Sequence, residues 1–199
     1  FRAQEAIAGG DEASSLVGRI ETAKYLITQE FSDRDPRALS EITNLLPADF
    51  WLSAPPKELA RRIRVYEKAK KLDPPLMIEV GQSPEGDATE VIVATLDHPG
   101  LFARIAGGLA LAGVDIVQSQ AATLADGFVL DVFVVASDPE SDGLARRDQR
   151  IRDGVKAALS GKVSLSKELA KSPPWKRRSD AFSVPPQVVI DNKASRTHT

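Results

Sequence analysis

The residues best suited to chemistry stand in one run, Asp97-His98-Pro99-Gly100-Leu101-Phe102, between an apolar segment at 91–96 and a helix-patterned one at 101–112. The run reads as a strand that ends in a tight turn and enters a helix directly. Such a junction leaves backbone N–H groups without intrahelical acceptors, and the helix dipole favours an anion beside them. Pro99 fixes the backbone ahead of the helix and Gly100 permits close approach. The N–H groups of Leu101 and Phe102 are therefore expected to face a carboxylate. Asp97, and Asp115 in the run Val114-Asp115-Ile116, offer acceptors for an ammonium. Anion-binding amides beside carboxylates suit a zwitterion, so a free amino acid is the natural ligand. Two plainer roles stay open: Asp97 as a helix cap and Asp115 as the polar end of a strand.

Other chemistries find little support. His98 is one of two histidines and has no metal-ligand partner at useful spacing. Cysteine is absent, which removes disulfides, thiolate nucleophiles and Cys-based zinc sites. A small enzyme would need an acid–base pair in a cleft, such as Asp131 with Arg104 or Arg146 if they converged.

The elements that must position the turn are legible in the patterning. Over 11–31, Leu16, Ile20, Ala23 and Ile27 recur at helical spacing, with Asp11 and Glu12 suited to the helix start. Asp35-Pro36 opens a shorter helix that Pro47 ends. Phe50-Trp51-Leu52 forms an apolar knot, and Pro55-Pro56 starts a helix with Leu59, Ile63 and Tyr66 on one face. Its cations Arg61, Arg62, Arg64, Lys68, Lys70 and Lys71 read as a solvated face. Past Asp73-Pro74-Pro75 the composition changes. Strands at 76–80 and 90–96 form a hairpin around a turn at 83–87. A helix at 101–112 is capped by Gly113, and Gly107 and Gly108 let its backbone approach a sheet closely. Strands at 114–124 and 128–136 flank an Asp126-Gly127 turn. Ser141-Asp142 starts a helix with Leu144, Ile151, Val155, Ala158 and Leu159 inward. A polar loop at 172–183 and a last short strand at 187–191 follow.

From residue 90 onward the order is strand, helix, strand, strand, helix, strand. That is the split βαβ, ferredoxin-like pattern of an α+β domain, βαββαβ, with an extra N-terminal strand and a preceding helical segment. Right-handed crossovers put both helices on one face of the sheet. Strands 90–96 and 128–136 are nonetheless apolar on both faces, interrupted in the second by Asp131. A sheet wet on one side alternates. Something therefore covers the other face: a partner domain, the N-terminal helices or a second copy.

With 42% hydrophobic and 27% charged residues the 199-residue chain reads as globular. A net charge of −2 gives no bulk attraction to nucleic acid or to an anionic membrane. No apolar run approaches the ~20 residues of a membrane span. No secretory leader is visible, Met does not open the chain, and its last residues look like an interrupted strand. The expectation is a piece of a longer cytoplasmic protein.

The run Asp97-His98-Pro99-Gly100-Leu101-Phe102, followed by Leu109-Ala110-Leu111-Ala112-Gly113-Val114-Asp115-Ile116, resembles the ACT domain, a regulatory module that binds amino acids. Residues 1–24, Phe50-Trp51-Leu52, Asp126-Gly127-Phe128 with Leu130-Asp131, and Pro186-Gln187-Val188-Val189-Ile190-Asp191-Asn192 extend the likeness. Together they are similar to the family of bifunctional uridylyltransferase/uridylyl-removing enzymes that modify the PII nitrogen-signalling protein. The resemblance implies a helical linker at 1–75 from a preceding catalytic region, an ACT domain at 76–192, and the first strand of a following ACT domain at 193–199. It implies glutamine as ligand, whose binding shifts the parent enzyme from adding UMP to PII toward removing it. By position, Asp97, His98, Leu101 and Phe102 form the ligand turn, and Asp115 and Ile116 the opposing strand start. Many ACT domains carry Asn where Asp97 and Asp115 stand, and an ionised Asp cannot donate a hydrogen bond. The family's nucleotidyltransferase signature and His-Asp metal motif are absent. No catalysis and no cofactor are therefore expected of this stretch, while the parent implies a divalent metal, magnesium. The implied partners are a second ACT domain or another copy, and PII through the parent. The rival reading is a docking or dimerisation module that needs no ligand.

Overall fold

In the computed structural model, residues 2–83, 88–136, 143–161 and 163–171 are described, the side chains of 2–14 and of Leu144 excepted. The turn expected at 83–87 falls mostly outside them. So do the Ser141-Asp142 helix start, the 172–183 loop, the 187–191 strand and the 193–199 segment.

Three helices come first: α1 (Arg2–Glu30), α2 (Pro36–Leu45) and α3 (Pro56–Lys70), with a 3₁₀ turn at Phe50–Leu52. Asp11 and Glu12 lie inside α1 rather than at its start, because the Ala-, Gln- and Glu-rich residues before Gly9-Gly10 are strong helix formers. Asp35 caps α2, accepting from the Arg37 amide at 3.0 Å, and Pro36 occupies the first turn. Strands β1 (Leu76–Gln82) and β2 (Thr89–Leu96) form the expected hairpin. They are followed by α4 (Leu101–Leu111), β3 (Asp115–Thr123), β4 (Phe128–Ala136), α5 (Leu144–Leu159) and α6 (Leu165–Lys171).

The sheet is antiparallel throughout, in the order β1-β2-β4-β3. The α+β, ferredoxin-like arrangement is present: β4 lies between β2 and β3, the strands that α4 connects. The place beyond β2, where a strand following α5 would close the second split unit, is filled by β1. The N-terminal strand is thus a full member of the sheet.

Both faces of the sheet are covered. On one, Val91, Val93, Val129, Phe133 and Val135 pack with Leu101, Ile105 and Leu109 of α4 and Ile151 and Val155 of α5. On the other, Ile92, Ala94, Leu130 and Val132 share a cluster with Ile27 of α1, Leu39 of α2, and Leu59, Ile63 and Tyr66 of α3. The N-terminal helices are therefore what the double-sided apolar strands call for, and helices and sheet share one core across residue 75.

Two local expectations are corrected. Gly108 faces α5 and not the sheet. A Cβ there would lie 2.7 Å from the Gly154 carbonyl oxygen, and one on Gly154 would lie 2.5 Å from the Gly108 oxygen. The two glycines let the helix backbones touch. The cations of α3 are not all solvated either. Arg62 is only 6% exposed and Arg61 is half-buried, since both meet acidic residues of the sheet.

Candidate functional site

The β2–α4 junction forms as the sequence implies. Gly100 takes the left-handed conformation at φ 78°, and α4 begins with no side chain capping it. Asp97 is thus not its cap. The Asp97 amide continues the ladder, donating to the Gly127 carbonyl at 2.9 Å, which ties the turn to the β3–β4 hairpin. One expected donor is already used: the Leu101 N–H is bonded to the His98 carbonyl at 3.1 Å, closing the turn on itself. The Arg104 amide donates to the Gly100 carbonyl. That leaves the amides of Phe102 and Ala103 as the open donors of the first helical turn.

Asp97, His98, Pro99, Gly100, Leu101 and Phe102 line an open concavity of about 480 Å³ above this turn. His98 is exposed, its Nδ1 3.3 Å from the Pro99 carbonyl oxygen. Leu101 is buried, and Phe102 is half-exposed with its ring 5.2 Å from that of Phe133. An adjoining hollow of about 460 Å³ shares His98 and Leu101 and is walled by Pro75, Leu76, Leu96 and Leu159. The arrangement offers two amides and a helix dipole for an anion, a carboxylate for a cation, and an apolar recess beside them.

Asp115 and Ile116 are not part of this corner. Leu96 pairs with Phe128 and Asp115 with Ala136, eight positions apart on β4. That is roughly 26 Å at the rise of a strand. Because β3 runs parallel to β2, its start lies at the opposite end of the sheet. Asp115, Ile116 and Val117 are exposed on β3, an edge strand with a bulge between Ile116 and Gln118.

Two acidic side chains are buried in the sheet, Asp131, weighed above, and Glu90, which the sequence reading passed over. Asp131 is 2% exposed on the α4/α5 side of β4, and neither Arg104 nor Arg146 pairs with it. Burial, reinforced by the Asp97 charge, pushes its carboxyl up from 3.8 to about 6. On the other face, Glu90 is 2% exposed between two arginines. Its Oε1 accepts from Arg62 Nη2 and its Oε2 from Arg61 Nη1, both at 2.8 Å. The signal available was a lone Glu in an otherwise apolar strand, which demands a cation from whatever packs there.

Among the described residues, no three His, Asp or Glu side chains are grouped so as to hold a metal ion. No described helix is long and apolar enough to cross a membrane.

No family model matches the chain. Curated relatives do. It is 32% identical over 199 residues to the bifunctional uridylyltransferase/uridylyl-removing enzyme of Rhodospirillum rubrum, covering 98% of this chain and 21% of that protein. The enzyme of the same name from Gluconobacter oxydans is 34% identical, covering 100% of this chain and 21% of the relative. That of Erythrobacter litoralis is 37% identical over 157 residues, covering 78% and 17%. The chain spans about a fifth of the length of the first two. Over essentially its whole length, the chain is homologous to one region of the bifunctional uridylyltransferase/uridylyl-removing enzymes.

Proposed function

We propose that this chain is the amino-acid-sensing part of such an enzyme, an ACT module with glutamine as its ligand, acting in the cytoplasm to set the balance between adding UMP to PII and removing it. The observation that carries this is the uncapped start of α4, with open amides at Phe102 and Ala103 above a turn held by Gly100. The ligand carboxylate takes those amides, its ammonium takes Asp97, and its side chain has room in the recess beside Leu101. The chain's own role is regulatory; catalysis belongs to other parts of the parent.

The exposed β3 edge supplies the second half of the site. An edge strand presents unpaired N–H and C=O groups to a neighbour. If a second copy or a following ACT domain pairs there antiparallel, its strand runs the other way. Its residues equivalent to Asp115 and Ile116 then lie at the end of the sheet where this chain's Asp97 turn stands. The two halves kept apart within one chain meet across such a pair.

Calorimetric titration with L-glutamine tests the reading, on this chain and on the parent protein. Saturable heat that disappears in Asp97→Ala supports it; a parent protein that gives no heat removes it. The docking-module alternative predicts association by sedimentation that glutamine leaves unchanged.

A further inference from the structure

The tip of the β3–β4 hairpin, residues 124–128, holds three parts of the molecule at once. It is a tight turn, closed by the Gly127 amide on the Leu124 carbonyl at 3.0 Å and the Leu124 amide on the Phe128 carbonyl at 2.8 Å. Each of its three central residues commits a polar group to a different element. The Ala125 amide donates at 3.1 Å to the carbonyl of Leu45, the last residue of α2, an acceptor that the helix end leaves open. Asp126 Oδ2 accepts from Tyr66 Oη at 2.6 Å and from Lys70 Nζ at 2.9 Å, both on α3. The Gly127 carbonyl accepts from the Asp97 amide at 2.9 Å.

The two ends of this link differ in firmness. On α3 the Tyr66 ring is buried and meets the Phe128 ring edge-on at 5.4 Å, with the Lys70 ammonium 5.3 Å from the Tyr66 ring centre. A packed anchor of that kind holds its position and passes a displacement on. The turn is the softer end. Residues 97–100 are exposed, and among the described residues the Asp97–Gly127 bond is the one hydrogen bond that ties them to an element other than α4. We infer that the hairpin tip carries the position of α2 and α3 to the Asp97 turn, with Tyr66 and Lys70 as positioning residues that set how Asp97 and the amides of Phe102 and Ala103 are presented to a ligand. This rests on the reading of the turn as the amino-acid site. Coupling between two sites is reciprocal, so a ligand that fixes the turn also fixes how α2 and α3 sit on the tip. The helices that cover the second face of the sheet are thereby placed to sense the occupied turn without touching the ligand.

The experiment is amide hydrogen exchange and ¹H–¹⁵N spectroscopy of the whole chain in two variants. Tyr66→Phe keeps the packed ring and removes the hydroxyl that holds Asp126. Ile63→Val, buried in the same cluster on α3, trims the core without touching the tip and controls for a general loss of stability. The expected result without ligand is exchange of the Asp97 amide about fivefold faster in Tyr66→Phe, the worth of one hydrogen bond, with displaced Phe102 and Ala103 signals, and neither change in Ile63→Val. With L-glutamine, the amide signals of Ala125 and Tyr66 move in step with those of Phe102 and Ala103. Calorimetry then shows Tyr66→Phe binding glutamine about fivefold more weakly than Ile63→Val does. The proposal is overturned if Tyr66→Phe leaves the Asp97 exchange and the Phe102 and Ala103 signals unchanged, or if Ile63→Val alters them equally. Glutamine that moves Phe102 and Ala103 but neither Ala125 nor Tyr66 also overturns it, and leaves the ligand reading standing. Glutamine that moves none of these signals, on this chain or in the parent protein, while Tyr66→Phe still frees the Asp97 amide, removes the ligand reading and supports the link from α3 to the turn.

Discussion

Replacing Asp131 by Asn should stabilise the protein at neutral pH and do almost nothing in acid. The carboxyl is buried on the α4/α5 side of the sheet with no cation beside it, and its pKa is raised from 3.8 to about 6. Holding it there corresponds to about 3 kcal/mol between its two protonation states in the fold. The sign follows from proton counting. Between about pH 4 and 6 the folded chain binds a proton that the unfolded chain has released, so stability falls as pH rises. Above pH 6 both states are ionised and the full penalty stands. Side-chain relaxation and water penetration soften it, so the expected gain in Asp131→Asn at pH 7.5 is about 1–3 kcal/mol. At pH 4, where the native carboxyl is neutral, the two proteins should be nearly equal. Urea unfolding followed by circular dichroism at pH 4, 5, 6 and 7.5 measures this directly. A stability difference that does not change across that range, or an Asn variant less stable at pH 7.5, would refute the reasoning.

Four further outcomes are expected. Glu90→Gln leaves the buried Arg62 charge without its partner and should cost about 3–5 kcal/mol in denaturant unfolding. The double change Arg62→Met with Glu90→Leu should lose clearly less than the two single changes summed. Gly108→Ala puts a methyl 2.7 Å from the α5 backbone and should lower stability by about 1–3 kcal/mol, read as a fall in Tm, since neither helix can yield without repacking. Tyr66→Phe removes the hydroxyl that donates to Asp126 Oδ2 at 2.6 Å and should cost about 1 kcal/mol. Burial raises the Asp126 carboxyl, but the Tyr66 and Lys70 hydrogen bonds outweigh it and hold it below its usual value. The stability this supplies above pH 4 is lost as pH falls, and the Phe variant should show a shallower acid loss.

Local chemistry made much of this molecule readable from its residues. The turn at Gly100, the cap at Asp35, the Gly113 helix stop at φ 72° and the Asp126-Gly127 hairpin follow from backbone preferences that need no distant neighbour. Strands apolar on both faces likewise required a second cover, because period-two patterning reports burial on each side separately. What patterning could not say was which body supplies that cover. Nor could it say that the α3 cations turn inward, because a helix face takes its meaning from what packs on it. Glu90 lies 28 residues from Arg62 in sequence and 2.8 Å from it in space. Gly108 and Gly154 were ambiguous for the same reason, since close approach names no partner until two helices cross. The separation of Asp115 from Asp97 was decided by strand order alone: β4 lies between β2 and β3, so both of those run in one direction and their starts share one end of the sheet.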